Sequence, residues 1–259
     1  MIASLHIQVA SRGERAYLRK AYFSPPFKLA DITENKNGKF LHVMQMSSSP
    51  GILDGDRYQV NVEVGDRCHL QLHTQSYQRL FKMKTGASQH MEVHVGKGAS
   101  FIYLPHPCVP QEDSDFSAVN KIYLSTGSVL VWGEIITCGR KLNGEIFRFS
   151  RYHSRTEIFL DNRLIIKENL RLLPGSECME GTGMLEGFTH QASLVYQAEC
   201  KPADHLLAVA SAFLATQEDI IFGITSGAGT SILLRILGFK SEQLFFCLKE
   251  ISDILTETK

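Results

Sequence analysis

Ten histidines, six cysteines and 27 carboxylates give this 259-residue chain ample material for acid–base or metal chemistry, so spacing has to decide. His69 with His73 and His90 with His94 are i, i+4 pairs, and "PHPC" sets His106 next but one to Cys108. Imidazole and thiolate suit borderline transition metals. The residues around each pair alternate polar and apolar, which is a strand pattern, and four residues of strand separate two Cβ atoms by about 13 Å. That is too far for one ion. Any such site needs ligands from neighbouring strands, and the pairs read first as solvated faces.

Two acidic constellations remain. In "SSSPGILDGDRYQVNVEVG" (47–65), Asp54 and Asp56 flank Gly55, whose backbone freedom suits a tight turn. Two acids on one loop offer oxygen ligands or interface hydrogen bonds; the simpler alternative is that they cap the turn. Glu134, Arg140 and Glu145 form the second group, for which an internal salt bridge is the competing account. Buried ion pairs are costly unless fully hydrogen-bonded, so such a group would serve specificity. Other chemistries find little support. "GITSGAGTS" (223–231) has three glycines but no following Lys, which suits a hairpin turn and not a phosphate loop. No G-x-S-x-G elbow is present, and nothing marks a dispersed Ser/His/Asp triad.

The elements that position these residues are mostly strands. Tyr58, Val60, Val62 and Val64 alternate with Gln59, Asn61 and Glu63; Cys68, Leu70 and Leu72 alternate with His69, Gln71 and His73; Met91, Val93 and Val95 alternate with His90, Glu92 and His94. Period two marks half-buried strands. Further strands are expected at 100–104, 119–124, 128–136, 145–151, 156–160 and 163–170. Gly65, Gly96 and Gly127 recur at equal spacing between strand signals, which suggests stacked strands as in a β-solenoid; chance turn spacing in a meander is the alternative. After residue 200 the pattern changes. "ADHLLAVASAFLAT" (203–216) reads as a buried helix capped by Asp204, and "DIIFGITS" and "SILLRILG" read as strands. "SEQLFFCLKEISDILTET" carries Leu244, Phe245, Leu248, Ile251 and Leu255 at helical spacing, with Ser241 as cap. The expectation is one mainly β domain over 1–259, β-rich to residue 200, with a mixed strand and helix part over 201–259.

Composition bounds the setting. Lys+Arg and Asp+Glu balance at 27 each, which argues against nucleic acid or an anionic membrane as the main partner. No apolar run approaches the roughly 18–20 residues that cross a bilayer, and no secretory leader is visible. The cysteines are spread without C-x-x-C, so reduced thiols and a cytoplasmic address are expected.

Six ordered segments carry a resemblance. "YFSPPFKL" (22–29), "SPGILDGDRYQVNVEVG", "LHTQSYQRLFKM" (72–83), "YLPHPCVPQEDSDF" (103–116), "WGEIITCGRKLNGEIFRF" (132–149) and "LLRILG" resemble, in order, motifs of the UreD (UreH) family of urease accessory proteins. There are departures: Ile52 stands where the family usually has a second Gly, and His106 and Cys108 replace more usual Gln and Thr or Val. The resemblance implies a stacked, β-helix-like fold with a small two-helix element near the C-terminus. It implies a non-enzymatic scaffold that binds apo-urease and recruits a UreF-like protein, as a 2:2 complex, and through it a UreG-like GTPase for nickel insertion. It further implies transient nickel contacts at Asp54 and Asp56, interaction or tunnel roles for Thr74, Gln75, Glu134, Arg140 and Glu145, and no tightly bound cofactor. The alternative is a cytoplasmic β-solenoid enzyme using paired carboxylates on a small or sugar substrate.

Overall fold

The computed structural model describes residues 1–13, 15–35, 38–199, 204–227 and 230–256, for 204 and 205 the backbone alone. The chain is mainly β, with two helices near its C-terminus. The strands are β1 (Ile2–Arg12), β2 (Arg15–Phe23), β3 (Phe27–Asp31), β4 (Leu41–Ser47), β5 (Arg57–Val64), β6 (His69–Thr74), β7 (Gln78–Leu80), β8 (Ala87–Val95), β9 (Ser100–Tyr103), β10 (Cys108–Pro110), β11 (Asp115–Leu124), β12 (Val129–Thr137), β13 (Arg151–Leu160), β14 (Arg163–Leu172), β15 (His190–Gln197), β16 (Ile220–Ser226) and β17 (Ser231–Gly238). The helices are α1 (Asp204–Ala215) and α2 (Ser241–Thr256).

Two sheets face each other. The first runs β14-β13-β11-β8-β5-β1-β2 and the second β16-β17-β15-β12-β9-β6-β4-β3, with β10 beside β12 and β7 beside β10. The middle of each sheet is parallel: β1 to β5 to β8 to β11 to β13 in one, β4 to β6 to β9 to β12 in the other. Antiparallel strands close the ends. Successive strands therefore alternate between the two sheets over most of the chain. Residues 31 apart in sequence meet: the side chains of His69 and Ser100, the Asp54 carboxylate with the Thr85 amide and hydroxyl, and the Asp66 carboxylate with the Lys97 amide.

The turns show where the glycine period holds. A Cβ on Gly96 would lie 3.0 Å from the carbonyl carbon of Gly65 and 2.7 Å from the Asp66 nitrogen, so these two glycines stack where no side chain fits. Gly127 does not continue that column; it sits against Gly98. Arg67, Gly98 and Gly127 share the left-handed backbone region at φ 56°, 62° and 74°, at one level in three stacked turns.

Period-two alternation is what fills the space between the sheets. Leu5, Ile7, Val60, Val62, Met91, Val93, Ile122 and Ile158 from one sheet meet Leu70, Leu72, Phe101, Leu130 and Trp132 from the other. Each such side chain contributes about 1.5–3 kcal/mol over exposure. The outer face of the second sheet is covered by the helices: Val131, Ile135 and Leu194 pack with Leu214, Leu244, Cys247, Leu248 and Ile251.

Two local expectations need correction. Residues 145–151 are not a strand: a 3-10 turn at Lys141–Asn143, Gly144 at φ 77° and Phe147 at φ 52° hold the chain in a turn until β13 begins at Arg151. Helix α1 is not buried all round; Ala210 and Leu214 are buried while Val209 is 47% exposed, because α1 lies at the margin of the helical layer. Phe245, at helical spacing with the buried face of α2, is half-buried, packs against the helical core and stacks on His106. The side chain of Asp204, expected as a cap, lies outside the described residues. The Ser241 hydroxyl meets the Tyr77 hydroxyl at 3.0 Å. Among the described cysteines all are free thiols, with Cys68, Cys108, Cys138 and Cys247 buried and Cys178 exposed. No helix among the described residues is long and apolar enough to cross a membrane.

Candidate functional site

The acidic turn precedes β5. Gly55 takes φ 75°, which lets the chain reverse between the two acids. Asp54 is exposed, and its Oδ1 accepts from the Thr85 amide at 2.8 Å, the Thr85 hydroxyl at 2.8 Å and the Gly86 amide at 3.1 Å. These bonds, the Thr85 amide foremost, hold its carboxyl below the usual carboxylate range. Asp56 faces inward and is 3% exposed. Its Oδ1 accepts from the α-amino group of Met1 at 3.0 Å, and its Oδ2 from the Leu53 amide at 2.9 Å and the Tyr58 hydroxyl at 3.3 Å. Burial first, then the charge of Asp56, pushes the Tyr58 hydroxyl above its ordinary value. The two acids thus engage different donors, one just before β8 and one beneath the turn.

The second acidic group is divided. Arg140 and Glu145 form a two-point ion pair, with Nε to Oε2 at 2.8 Å, inside the turn that follows β12. Glu134 stands apart from them, pointing between the sheets. Its Oε1 accepts from Trp132 Nε1 at 2.9 Å, Thr156 Oγ1 at 2.8 Å and Asn120 Nδ2 at 3.2 Å; its Oε2 accepts from Ser154 Oγ at 2.8 Å. All four donors are neutral, and among the described residues no cation pairs with this carboxylate.

Glu134 borders an interior cavity of about 40 Å³, together with Cys108, Tyr103 and Tyr152. Burial raises the pKa of all three, and the charge of Glu134 adds to the shift. They therefore face the cavity as neutral hydroxyls and a neutral thiol. A second cavity, about 90 Å³, lies alongside and is bordered by Ser47, Ser49, Thr74, Gln75 and Tyr77. Gln78, Gln89, Tyr103, Pro105 and His106 belong to the walls of both. A water needs roughly 10–15 Å³ of such space and two or more polar partners, so both cavities suit water or a small ion. Thr74 sits at the junction: its Oγ1 accepts the His106 amide at 2.8 Å and contacts His106 Nδ1 at 2.9 Å. Gln75 is exposed at the outer end, and its amide bonds Gln45 at 3.0 Å.

The geometry also sorts the other candidates. Gly51 is required where it stands, since a Cβ would lie 2.3 Å from the Arg79 carbonyl oxygen, while Ile52 is a core residue at 2% exposure. The histidines pair across strands and not along them. His73 Nε2 lies 3.1 Å from His42 Nδ1, and burial foremost, then the nearby His42, Lys249 and His106, lowers His73 to about 4. His69 contacts Ser100, and His94 contacts Glu92 and stacks on Tyr123; His90 lies on the exposed face. Among the described residues no three His, Cys, Asp or Glu side chains converge as a metal site.

Asn120, Ser154 and Thr156, which complete the Glu134 site, escaped the motif search. Their signal was available: each occupies the inward phase of its strand, where Phe116, Ala118 and Ile122, or Tyr152 and Ile158, are apolar.

Comparison with known proteins supplies the family. The model of the UreD urease accessory protein family matches residues 1–259. The urease accessory protein UreD of Flavobacterium johnsoniae is 41% identical over 252 residues, covering 97% of this chain and 91% of its own. The same-named protein of Acetivibrio thermocellus is 37% identical, covering 97% and 96%, and that of Actinobacillus pleuropneumoniae serotype 3 is 33% identical, covering 97% and 95%. With the whole chain matched and identity above 30% along nearly all of it, this protein belongs to the UreD urease accessory protein family.

Proposed function

We propose that this chain is a cytoplasmic, non-enzymatic scaffold of urease maturation. It works as one domain of β-helix-like, stacked strands. It binds apo-urease and a UreF-like protein, in a 2:2 complex with the latter, and through it a UreG-like GTPase. Nickel is the cargo and not a resident cofactor. The observation that carries the reading is the pair of adjoining cavities between the sheets, ending at an acid held only by neutral donors. A cation moving past Thr74, Gln75 and the Glu134 chamber meets oxygen, nitrogen and neutral sulfur one or two at a time. Such donors release a borderline metal more readily than a closed Cys/His cage does. Asp54 and Asp56 then serve at the rim of the fold as transient nickel contacts when a partner displaces their present donors, and Arg140 with Glu145 stiffens a turn available for docking. The enzymatic alternative asks for two acids facing one cleft, and Asp54 and Asp56 instead face separate sets of protein donors.

The test is co-expression of urease with the remaining accessory proteins, with and without this chain. Nickel-loaded, active urease is expected only when the chain is present, and the chain is expected to co-purify with the UreF-like partner. Full activation without it overturns the proposal.

A further inference from the structure

Of the five residues common to both cavity walls, His106 is the one tied to a helix outside them. Its amide and Nδ1 both meet Thr74 Oγ1, and its ring stacks on Phe245 of α2 with centroids 4.7 Å apart and planes 18° apart. Helix α2 grips the same rim a second time, where the Tyr77 hydroxyl meets Ser241 Oγ at 3.0 Å and donates to Glu242. Gln78 and Gln89 close the remainder of the wall, Nε2 to Oε1 at 3.3 Å. Thr74 Oγ1 accepts the His106 amide and meets Nδ1 as donor or acceptor according to the tautomer, since a hydroxyl carries one proton and two lone pairs. Turning the ring out of the wall must break this bond and the stack together.

We infer that His106 is a gate between the outer cavity and the Glu134 chamber, latched shut by Thr74 and by Phe245, and opened when the first turns of α2 shift. The body it admits is a small cation with no more than a few of its waters, since the inner space of about 40 Å³ holds about three at roughly 10–15 Å³ each. The gate rests on the cation route proposed above, yet it makes a claim about access that needs no urease to test. Control of access by a helix on the outer surface also gives a partner that touches α2 a means of timing delivery.

Cys108 is the built-in reporter. It is 5% exposed and borders the inner cavity and not the outer one, so on this reading a reagent reaches it past His106. The probe is methylmercury, with labelling at each cysteine followed by peptide mass spectrometry on the full chain. Phe245→Ala removes the stack and Thr74→Val removes the hydroxyl bonds at nearly constant shape. Either change is expected to speed Cys108 labelling about tenfold, equivalent to about 1.4 kcal/mol, the scale of one aromatic stack. Cys68 and Cys138, buried elsewhere, should keep their wild-type rates. His106→Trp should slow Cys108 labelling. An unchanged Cys108 rate in both Phe245→Ala and Thr74→Val overturns the gate. So does a rise shared by Cys68 and Cys138, which marks a loosened fold; if Phe245→Ala does not fold, Thr74→Val carries the test. Faster Cys108 labelling in a variant of unaltered urease activation would leave the gate standing and refute the nickel route instead.

Discussion

Glu134→Gln is the sharpest perturbation of the interior site. The carboxylate receives four hydrogen bonds from Trp132, Thr156, Asn120 and Ser154. A glutamine of the same shape keeps its carbonyl oxygen toward the first three donors and turns its NH2 to Ser154, whose hydroxyl rotates to accept. Hydrogen bonds to a charged group contribute about 1.5–3 kcal/mol and neutral ones about 0.5–1.5, so weakening three bonds costs a few kcal/mol. Removing a partly buried, unpaired charge returns a similar amount of desolvation energy. The net change in stability is therefore expected within about 2 kcal/mol. Glu134→Ala is different, because it strands four donors at about 1–3 kcal/mol each, less whatever entering water recovers. Thermal melts of both variants, beside urease activation in the co-expression assay, separate fold from function. Glu134→Gln should melt near wild type and lose most activation, since the chamber no longer attracts a cation. It should also bring the Cys108 thiol pKa downward, because the charge of Glu134 is part of what raises it. A Glu134→Gln protein that activates urease like wild type refutes the reasoning, and so does one whose melting falls as far as that of Glu134→Ala.

Two further outcomes test the acidic turn. Asp56→Ala removes the acceptor for the Leu53 amide, the Tyr58 hydroxyl and the Met1 amino group, so it should destabilise by about 1–3 kcal/mol in urea unfolding, and a variant as stable as wild type contradicts the placement. Asp54 has a lowered folded pKa, so the stability it confers is present above its unfolded value near 3.8 and disappears as pH falls through the lower folded value. Melting followed from pH 7 to pH 3 should therefore fall less steeply at the acid end in Asp54→Asn than in wild type, and parallel curves would refute that.

The parts of the fold legible in the sequence are those that local chemistry dictates. Alternation placed Tyr58, Val60, Val62 and Val64 inside because a strand shows successive side chains to opposite faces, and all four are buried. Helical spacing found the inner face of α2 through Leu244, Leu248, Ile251 and Leu255. What failed was non-local. Nothing in "NGEIFRF" says that Gly144 and Phe147 will take left-handed backbone, so a β-rich composition there reads as strand. The separation of Glu134 from Arg140 was hidden because Glu134 lies within β12 and Arg140 beyond its end, where the turn gathers Arg140 onto Glu145. The stacking of His106 on Phe245 joins a residue of the β-rich part to the C-terminal helix, far beyond the reach of any spacing rule.

The interior site follows from a local rule broken repeatedly at one depth. Asn120, Ser154 and Thr156 sit in the inward phase of β11 and β13, each at 4% exposure or less, and the residues in line with Asn120 and Thr156 on β8, β5 and β1 are the apolar Met91, Val60 and Leu5. Burying a polar group without a partner costs several kcal/mol, so these three are tolerated because Glu134 accepts from all of them. Glu134 in turn is tolerated because they are there. Such a cluster adds little to stability beyond what Leu or Val would add, and it leaves an imperfectly filled space beside Cys108, Tyr103 and Tyr152. A protein needing only a solid stack of strands would have closed that space with apolar side chains. A polar, partly empty interior next to the His106 wall is the feature on which the proposed cation route rests.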